Sequence, residues 1–189
     1  MPYRKISFCS GNYYHIYNRG NNYEKVFFEP ENYRYFLRLV QKYFPPSALE
    51  LVSYCLMPDH YHLLVFLNEN DLSNRMQAMI LAYTKAINKR FGRVGALFQG
   101  RFKALHVDKY NYLLHLSRYI HYNPVAAGLV QRAEDWAFSS YPVYLGLKRE
   151  PFLRPDIVMS QFDTPGIYRE FVESLSDEDT AIIQHLVGD

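Results

Sequence analysis

Two histidines at alternate positions, His60 and His62, are the residues of this chain whose types and spacing best suit metal chemistry. They lie in an apolar, β-prone run, and side chains two apart in a strand project from the same face, about 7 Å apart along the chain. Neutral imidazole is a common metal ligand, and two ring nitrogens leave coordination positions for a substrate oxygen and water. The pattern predicts a site for one cation, with a pair of surface histidines as the alternative.

A second group of candidate residues follows one face of a predicted helix. Its members are Tyr112, His115, Tyr119 and Tyr122, and Asn123 roughly continues the stripe. A phenol has a pKa of about 10 and becomes a useful nucleophile only when a base, a metal-polarised substrate or positive charge favours the phenolate. Spacing alone does not separate Tyr112 from Tyr119, and ordinary packing of tyrosines between core and solvent is the alternative.

The elements that must position these residues alternate between strand and helix patterns. Strands are predicted over 13–18, 49–57, 60–67 and within 96–107, helices over about 30–43, 72–91 and 109–122, and a loop over 136–145. We expect Pro124 to end the third helix, because the residue before a proline is pushed out of the helical region. The order β, α, β, β, α, β predicts an α+β fold, a ferredoxin-like antiparallel sheet with helices packed on one face.

The length of 189 residues is enough for one domain with a full hydrophobic core. We expect this domain to cover 1–149 and to be followed by an acidic extension over 150–189. Within the extension, small helices are predicted over 168–175 and 177–187.

The net charge of +2 conceals two segments of opposite sign. Residues 75–109 hold eight basic side chains and one acidic, whereas 150–189 hold two basic and nine acidic. A basic segment with interleaved aromatic residues suits a phosphate backbone with unstacked bases, although two solvated helix faces of opposite sign are the ordinary alternative. The candidate contacts to nucleic acid are Arg19, Lys85, Lys89, Arg90, Arg101 and Lys103.

Several classes of protein are excluded by composition. Hydrophobic residues at 49% and charged residues at 21% exclude wholesale disorder. No apolar run approaches the roughly 18 residues needed to cross a bilayer, and the start lacks the core of a signal peptide, so we expect a cytoplasmic protein without a membrane partner. Cys9 and Cys55 stand far apart without a CxxC spacing, which predicts neither a disulfide framework nor a cysteine zinc site.

Three stretches together resemble the IS200-like transposase family, in particular its single-tyrosine HUH nucleases and their REP-associated branch. They are MPDHYHLLV at 57–65, LFQGRFKALHV at 97–107 and RYIHYNPVAAGLV at 118–130. HUH denotes His, hydrophobic residue, His, which His60, Tyr61 and His62 match. The resemblance implies a ferredoxin-like domain that cuts single-stranded DNA beside a hairpin, using Mg²⁺ or Mn²⁺ and a tyrosine nucleophile. The products are a 5′-phosphotyrosine and a 3′-hydroxyl, and the reversed reaction rejoins strands.

Carried over by position, the resemblance implies that His60 and His62 bind the ion, that Tyr119 is the nucleophile, and that Asn123 supplies a third ligand. Tyr112 and Tyr122 are rivals for the nucleophile. The implied partner is single-stranded or hairpin DNA, bound by a monomer or a homodimer. Two alternatives stay open. One is a non-catalytic, domesticated protein that binds hairpin or single-stranded DNA, and the other is a metal nuclease that uses water in place of tyrosine.

Overall fold

A single antiparallel sheet organises the chain. The computed structural model describes residues 7–174, and within them the sheet has four strands. They are β1 (Tyr13–Arg19), β2 (Leu49–Leu56), β3 (His60–Leu67) and β4 (Lys103–Val107). Their spatial order is β2-β3-β1-β4, which is the ferredoxin-like arrangement for a β-α-β-β-α-β chain. The predicted α+β fold class is confirmed.

Three long helices and three short ones accompany the sheet within the described residues. They are α1 (Pro30–Tyr43), α2 (Leu72–Phe91), α3 (Tyr110–Ala126), α4 (Tyr141–Tyr144), α5 (Asp156–Met159) and α6 (Pro165–Glu173). The predicted bounds of the first two helices are confirmed. The short α4 lies where a loop was predicted, and the helix predicted over 177–187 lies outside the described residues. Among the described helices, none has the length and apolar character that crossing a membrane requires.

The long helices cover both faces of the sheet. Tyr61 and His62 are neighbours in β3, so their side chains point to opposite faces. The ring of Tyr61 lies 4.9 Å from Phe36 of α1, which in turn packs against Tyr83 of α2. The ring of His62 lies 5.3 Å from Tyr119 of α3. Helices therefore pack on two faces rather than on the one face expected, because α3 crosses to the side that α1 and α2 leave uncovered.

The helix α3 does not end at Pro124, contrary to the prediction. Proline removes one backbone N–H donor, but the last turn still closes through the amide of Ala127, which donates to the carbonyl of Asn123. Asn123 therefore lies inside the helix, four residues after Tyr119. Side chains at this spacing share a face, so the helix presents both groups on the same side.

The segment 150–174 docks on the rest of the chain. Leu153 forms a bridge with Leu51 of β2, and the amide of Arg154 donates to the carbonyl of Leu51. The helix α6 packs on α3 and buries Tyr168 and Val172 completely. The domain boundary between residues 149 and 150 stays a prediction.

A buried polar network fixes α3 from the side opposite its cleft residues. One ring nitrogen of His121 lies 2.7 Å from the hydroxyl of Tyr168, and the other lies 2.7 Å from the hydroxyl of Ser140. The Tyr168 hydroxyl also lies 3.1 Å from Ser117 on α3. Burial lowers the pKa of His121 to about 3, so the ring is neutral at pH 7 and each nitrogen has a partner.

This network predicts acid lability. Because the pKa of His121 is about 3 when folded and about 6.5 in an unfolded chain, the unfolded state takes up the proton first as pH falls below 6.5. We expect His121 to lower the free energy of unfolding by about 2 kcal/mol between pH 7 and pH 5. Urea denaturation at the two pH values measures it. A His121→Gln variant should be less stable than the wild type at pH 7, but its free energy of unfolding should fall less between pH 7 and pH 5. An equal fall in both proteins would contradict the assignment of this pH dependence to His121.

Candidate functional site

A cleft of about 240 Å³ opens on the face of the sheet that α3 covers. Its walls come from three parts of the chain: the end of β1 with the turn after it, the start of β3 with the residue before it, and α3. The lining residues are Tyr17, Asn18, Arg19, Tyr23, Asp59, His60, Tyr61, His62, Tyr119 and Asn123. All four residues predicted to carry the chemistry lie in this one cleft.

The two histidines lie side by side at the start of β3. His60 pairs with Arg19 of β1, and His62 pairs with Tyr17. Their rings are 5.1 Å apart and nearly perpendicular. His62 is almost fully buried, whereas His60 is partly exposed. The strand therefore presents two imidazoles to one cleft, as the alternate spacing predicts.

Each histidine of the pair is held through its Nδ1 atom. The Nδ1 of His60 lies 2.7 Å from a carboxylate oxygen of Asp59, and the Nδ1 of His62 lies 2.9 Å from Nε2 of His15 on β1. When both Nδ1 atoms carry the proton, they donate to these partners, and each ring keeps the lone pair on Nε2. Partners of this kind fix the tautomer and orientation of metal-binding histidines.

The charge states suit metal binding. Burial lowers the pKa of His62 well below 6.5, and the neighbouring His15 and His60 lower it further. Burial also lowers the pKa of His15 to about 3. The rings of His62 and His15 are therefore neutral at pH 7. His62 can act as a ligand, and His15 as its hydrogen-bond partner, without first losing a proton. The hydrogen bond from His60 lowers the pKa of Asp59, which keeps that carboxylate charged.

Tyr119 and Asn123 enter the cleft from α3, one turn apart. The Tyr119 ring lies edge-on to His62 with 5.3 Å between ring centroids. The rival tyrosines Tyr112 and Tyr122 are partly buried on the same helix and do not line the cleft. Of the tyrosines that sequence spacing left open, Tyr119 is the one next to the histidines.

The donor atoms in the cleft fit a divalent ion. They are the imidazole nitrogens of His60 and His62 and the amide oxygen of Asn123, a mixed nitrogen and oxygen set of the kind that divalent metal ions accept. Over residues 7–174, no three His, Cys, Asp or Glu side chains group closely enough to hold a metal ion. A third protein ligand would therefore be the amide rather than a carboxylate, and positions would be left for substrate oxygens.

The six basic residues predicted to contact nucleic acid fall into two groups. Arg19 lines the cleft, and Lys103 of β4 lies with its Nζ atom 5.7 Å from the ring of Tyr17, another lining residue. Arg101 follows Gly100, whose carbonyl accepts a hydrogen bond from Asn18 of the cleft. The remaining three, Lys85, Lys89 and Arg90, lie on α2.

The basic residues of α2 are not brought to the cleft. This helix packs with α1 on the Tyr61 face of the sheet, whereas the cleft lies on the His62 face. Arg90 is also paired with Glu29 at 2.5 Å. A charge count along the chain missed this separation, because it contains no information about which face of the sheet a helix covers.

Two residues with a place in the site, His15 and Asp59, were not singled out from the sequence. Asp59 stands directly before His60 and could have been found as a neighbouring carboxylate. His15 lies 47 positions before His62, and no local spacing connects them. Only the antiparallel register of β1 and β3, which places His15 opposite Leu64 and Tyr17 opposite His62, brings the two rings together.

Comparisons with known proteins agree with this arrangement. The family model described as Transposase IS200 like matches residues 9–123, a range that contains every candidate ligand and Tyr119. A candidate REP-associated tyrosine transposase of Haemophilus influenzae is 35% identical over an alignment of 104 positions that covers 49% of this chain and 58% of that protein. This chain therefore spans less than two thirds of the length of that relative.

A solved structure shares the fold. It is described as a REP-associated tyrosine transposase bound to a REP hairpin, and it superposes with a TM-score of 0.65 at 21% identity. The match covers 79% of this chain and 89% of that one. Since the family model matches more than half of the sequence and spans both the histidine strand and the tyrosine helix, the chain belongs to the IS200-like transposase family.

Proposed function

We propose that this protein cleaves and rejoins single-stranded DNA beside hairpins through a covalent link between Tyr119 and a 5′-phosphate. One observation carries the proposal: the cleft brings Tyr119 and Asn123 of α3 against His60 and His62 of β3. A nucleophile, two imidazole ligands and an amide oxygen in one cleft suit phosphoryl transfer. The family, the REP-associated relative and the hairpin-bound structure with the same fold support DNA as the substrate.

In the proposed reaction, the oxygen of Tyr119 attacks the scissile phosphorus in line with the 3′-oxygen that leaves. The new bond joins the tyrosine to the 5′-phosphate, and the bond to the 3′-oxygen breaks. The phenol loses one proton, and the leaving 3′-oxygen gains one. The link stores the energy of the broken phosphodiester, so an incoming 3′-hydroxyl can reverse the step and rejoin a strand.

The residues of this chain have distinct parts in the proposal. His60, His62 and Asn123 would hold a divalent ion, Mg²⁺ or Mn²⁺, which when bound supplies positive charge beside a phosphate oxygen. Asp59 and His15 orient the two rings. Arg19 lines the cleft and Lys103 lies beside the lining residue Tyr17, so both could contact the DNA backbone. A single strand fits better than a duplex, because stacked and paired bases cannot reach the aromatic residues.

The test is a covalent assay. We expect the wild-type protein, incubated with end-labelled hairpin DNA carrying single-stranded flanks and Mn²⁺, to retain label after denaturation and electrophoresis. Chelation with EDTA should remove the shifted band, and treatment with protease should release the DNA. Cleavage without any protein-linked product would point to the alternative that uses water. DNA binding without cleavage, under all metal conditions, would point to the non-catalytic alternative.

The proposal predicts a measurable part for His15. Replacing it with Phe keeps a ring in the stack but removes the nitrogen that faces Nδ1 of His62, so the tautomer of His62 is no longer fixed. We expect the affinity for Mn²⁺ to fall by about 10- to 100-fold, the usual cost of losing such a partner. Calorimetric titration measures it.

The matched variant for this test is His15→Gln. Its side chain can accept a hydrogen bond from His62, so it should recover part of the lost affinity. Circular dichroism of both variants establishes that the fold is retained. If folded His15→Phe binds Mn²⁺ as tightly as the wild type, His15 has only a packing role.

A further inference from the structure

One aromatic side chain differs from the others in its exposure to solvent. Among the described side chains, Tyr23 is the only Tyr, Phe or Trp that is exposed, with 68% of its surface accessible. It lies at the rim of the cleft that holds His60 and His62. The guanidinium of Arg19 lies 4.9 Å from the centre of its ring, so a cation is stacked near one side of an otherwise solvated ring.

The turn that carries Tyr23 is held in place by backbone hydrogen bonds. The amide of Gly20 donates to the carbonyl of Asp59, and the amide of Val26 donates to the carbonyl of Pro58. A Cβ atom on Gly20 would lie 1.9 Å from the carbonyl oxygen of Glu24, so the turn closes tightly only with glycine. Tyr23 is therefore presented on a firm support that is attached to the residues just before His60.

The backbone at this turn is also unusual. Asn22 and Tyr23 have φ values of 53° and 59°, and they are the only residues other than glycine with positive φ in the described part of the chain. Tyrosine rarely adopts this left-handed conformation. Burial of the side chain compensates for it little, since 68% of the surface of Tyr23 is exposed. Strained residues of this kind concentrate at binding sites.

We propose that Tyr23 is the stacking platform for one unpaired nucleobase of the DNA strand beside the scissile phosphate. This rests on the proposed function and names a base subsite within it. A flat ring at the rim of the cleft stacks on any base, and the nearby Arg19 adds attraction to the base and to the adjoining phosphate. The firm support means that little freedom is lost when a base binds.

The experiment combines variants of Tyr23 with DNA that lacks single bases. Fluorescently labelled hairpins with single-stranded flanks are prepared with one abasic site at each flank position in turn, and binding is measured by anisotropy in EDTA so that no strand is cut. We expect one abasic position to weaken binding to the wild type. Tyr23→Ala should bind intact DNA about 5- to 150-fold more weakly than the wild type does. Its affinity should not fall further when the DNA is abasic at that same position.

Two variants serve as controls. Tyr23→Phe keeps the ring and should bind like the wild type. Val94→Ala changes a side chain that is 97% exposed outside the cleft and should also have no effect. Since Tyr23 makes no core contact, its variants should fold, and circular dichroism checks this.

The inference is overturned if folded Tyr23→Ala binds intact DNA as the wild type does, if no abasic position weakens the wild type, or if the abasic loss is the same in both proteins. If the wild type forms the covalent product but any one of these three results is obtained, only the base subsite is refuted. A wild type that neither binds hairpin DNA nor forms the covalent product refutes the proposed function as well.

Discussion

We expect the replacement of Tyr119 with Phe to lower the yield of covalent product by about 10³-fold or more, because the variant lacks the proposed attacking oxygen and neither Tyr112 nor Tyr122 lines the cleft. The ring and its edge-on contact with His62 are retained, so the fold and the affinity for hairpin DNA should change little. Gel electrophoresis of denatured reactions measures the covalent product, and fluorescence anisotropy measures the affinity for hairpin DNA.

The matched controls for Tyr119→Phe come from the same helix. Tyr112→Phe and Tyr122→Phe each remove one hydroxyl from a partly buried ring outside the cleft. Both should form the covalent product at nearly the wild-type rate. If Tyr119→Phe still links to DNA while one of these variants does not, the nucleophile has been assigned to the wrong tyrosine.

Replacing His62 with Ala has the second large effect. It deletes one of the two proposed imidazole ligands and also leaves His15 without its hydrogen-bond partner at 2.9 Å. We expect no Mn²⁺ binding in calorimetry at concentrations that saturate the wild type, and a loss of covalent product of about 10³-fold or more, comparable to that of Tyr119→Phe. Hairpin binding in EDTA should persist, because the residues proposed to contact the phosphates, Arg19 and Lys103, are unchanged.

The control for His62→Ala is a histidine of the same sheet. His106 on β4 pairs with Tyr14, lies 5.3 Å from that ring and is exposed. Its replacement by Ala should leave Mn²⁺ binding and the covalent product unchanged. Full Mn²⁺ affinity in a folded His62→Ala protein would mean that the ion is held elsewhere.

Much of the fold follows from local pattern. The alternation of β1, the apolar runs of β2 and β3 and the helical spacing of α1 and α2 are each complete within a short window, so composition and period were enough to locate them. The positions of His60 and His62 on one strand face followed in the same way. Tyr119 needed the motif, because its helix carries several tyrosines at equivalent spacing.

What local pattern missed depends on contacts between distant parts of the chain. Pro124 was expected to end α3, but a proline removes only its own hydrogen bond, and the amide of Ala127 still donates to the carbonyl of Asn123 in the last turn. The basic residues of α2 were grouped with Arg19, Arg101 and Lys103, although the sheet separates them from the cleft. His15 reaches His62 only through strand register, which neither segment specifies alone.

The one-turn spacing of Tyr119 and Asn123 has a mechanical consequence. Both groups move as one body with α3, and a displacement by one helical turn, about 5.4 Å, would carry the attacking oxygen and the amide away from the imidazoles together. The attachment of the same helix through His121 to Tyr168 and Ser140 opposes such sliding. The proposed nucleophile and the proposed amide ligand therefore take up, or lose, their positions beside the imidazoles together.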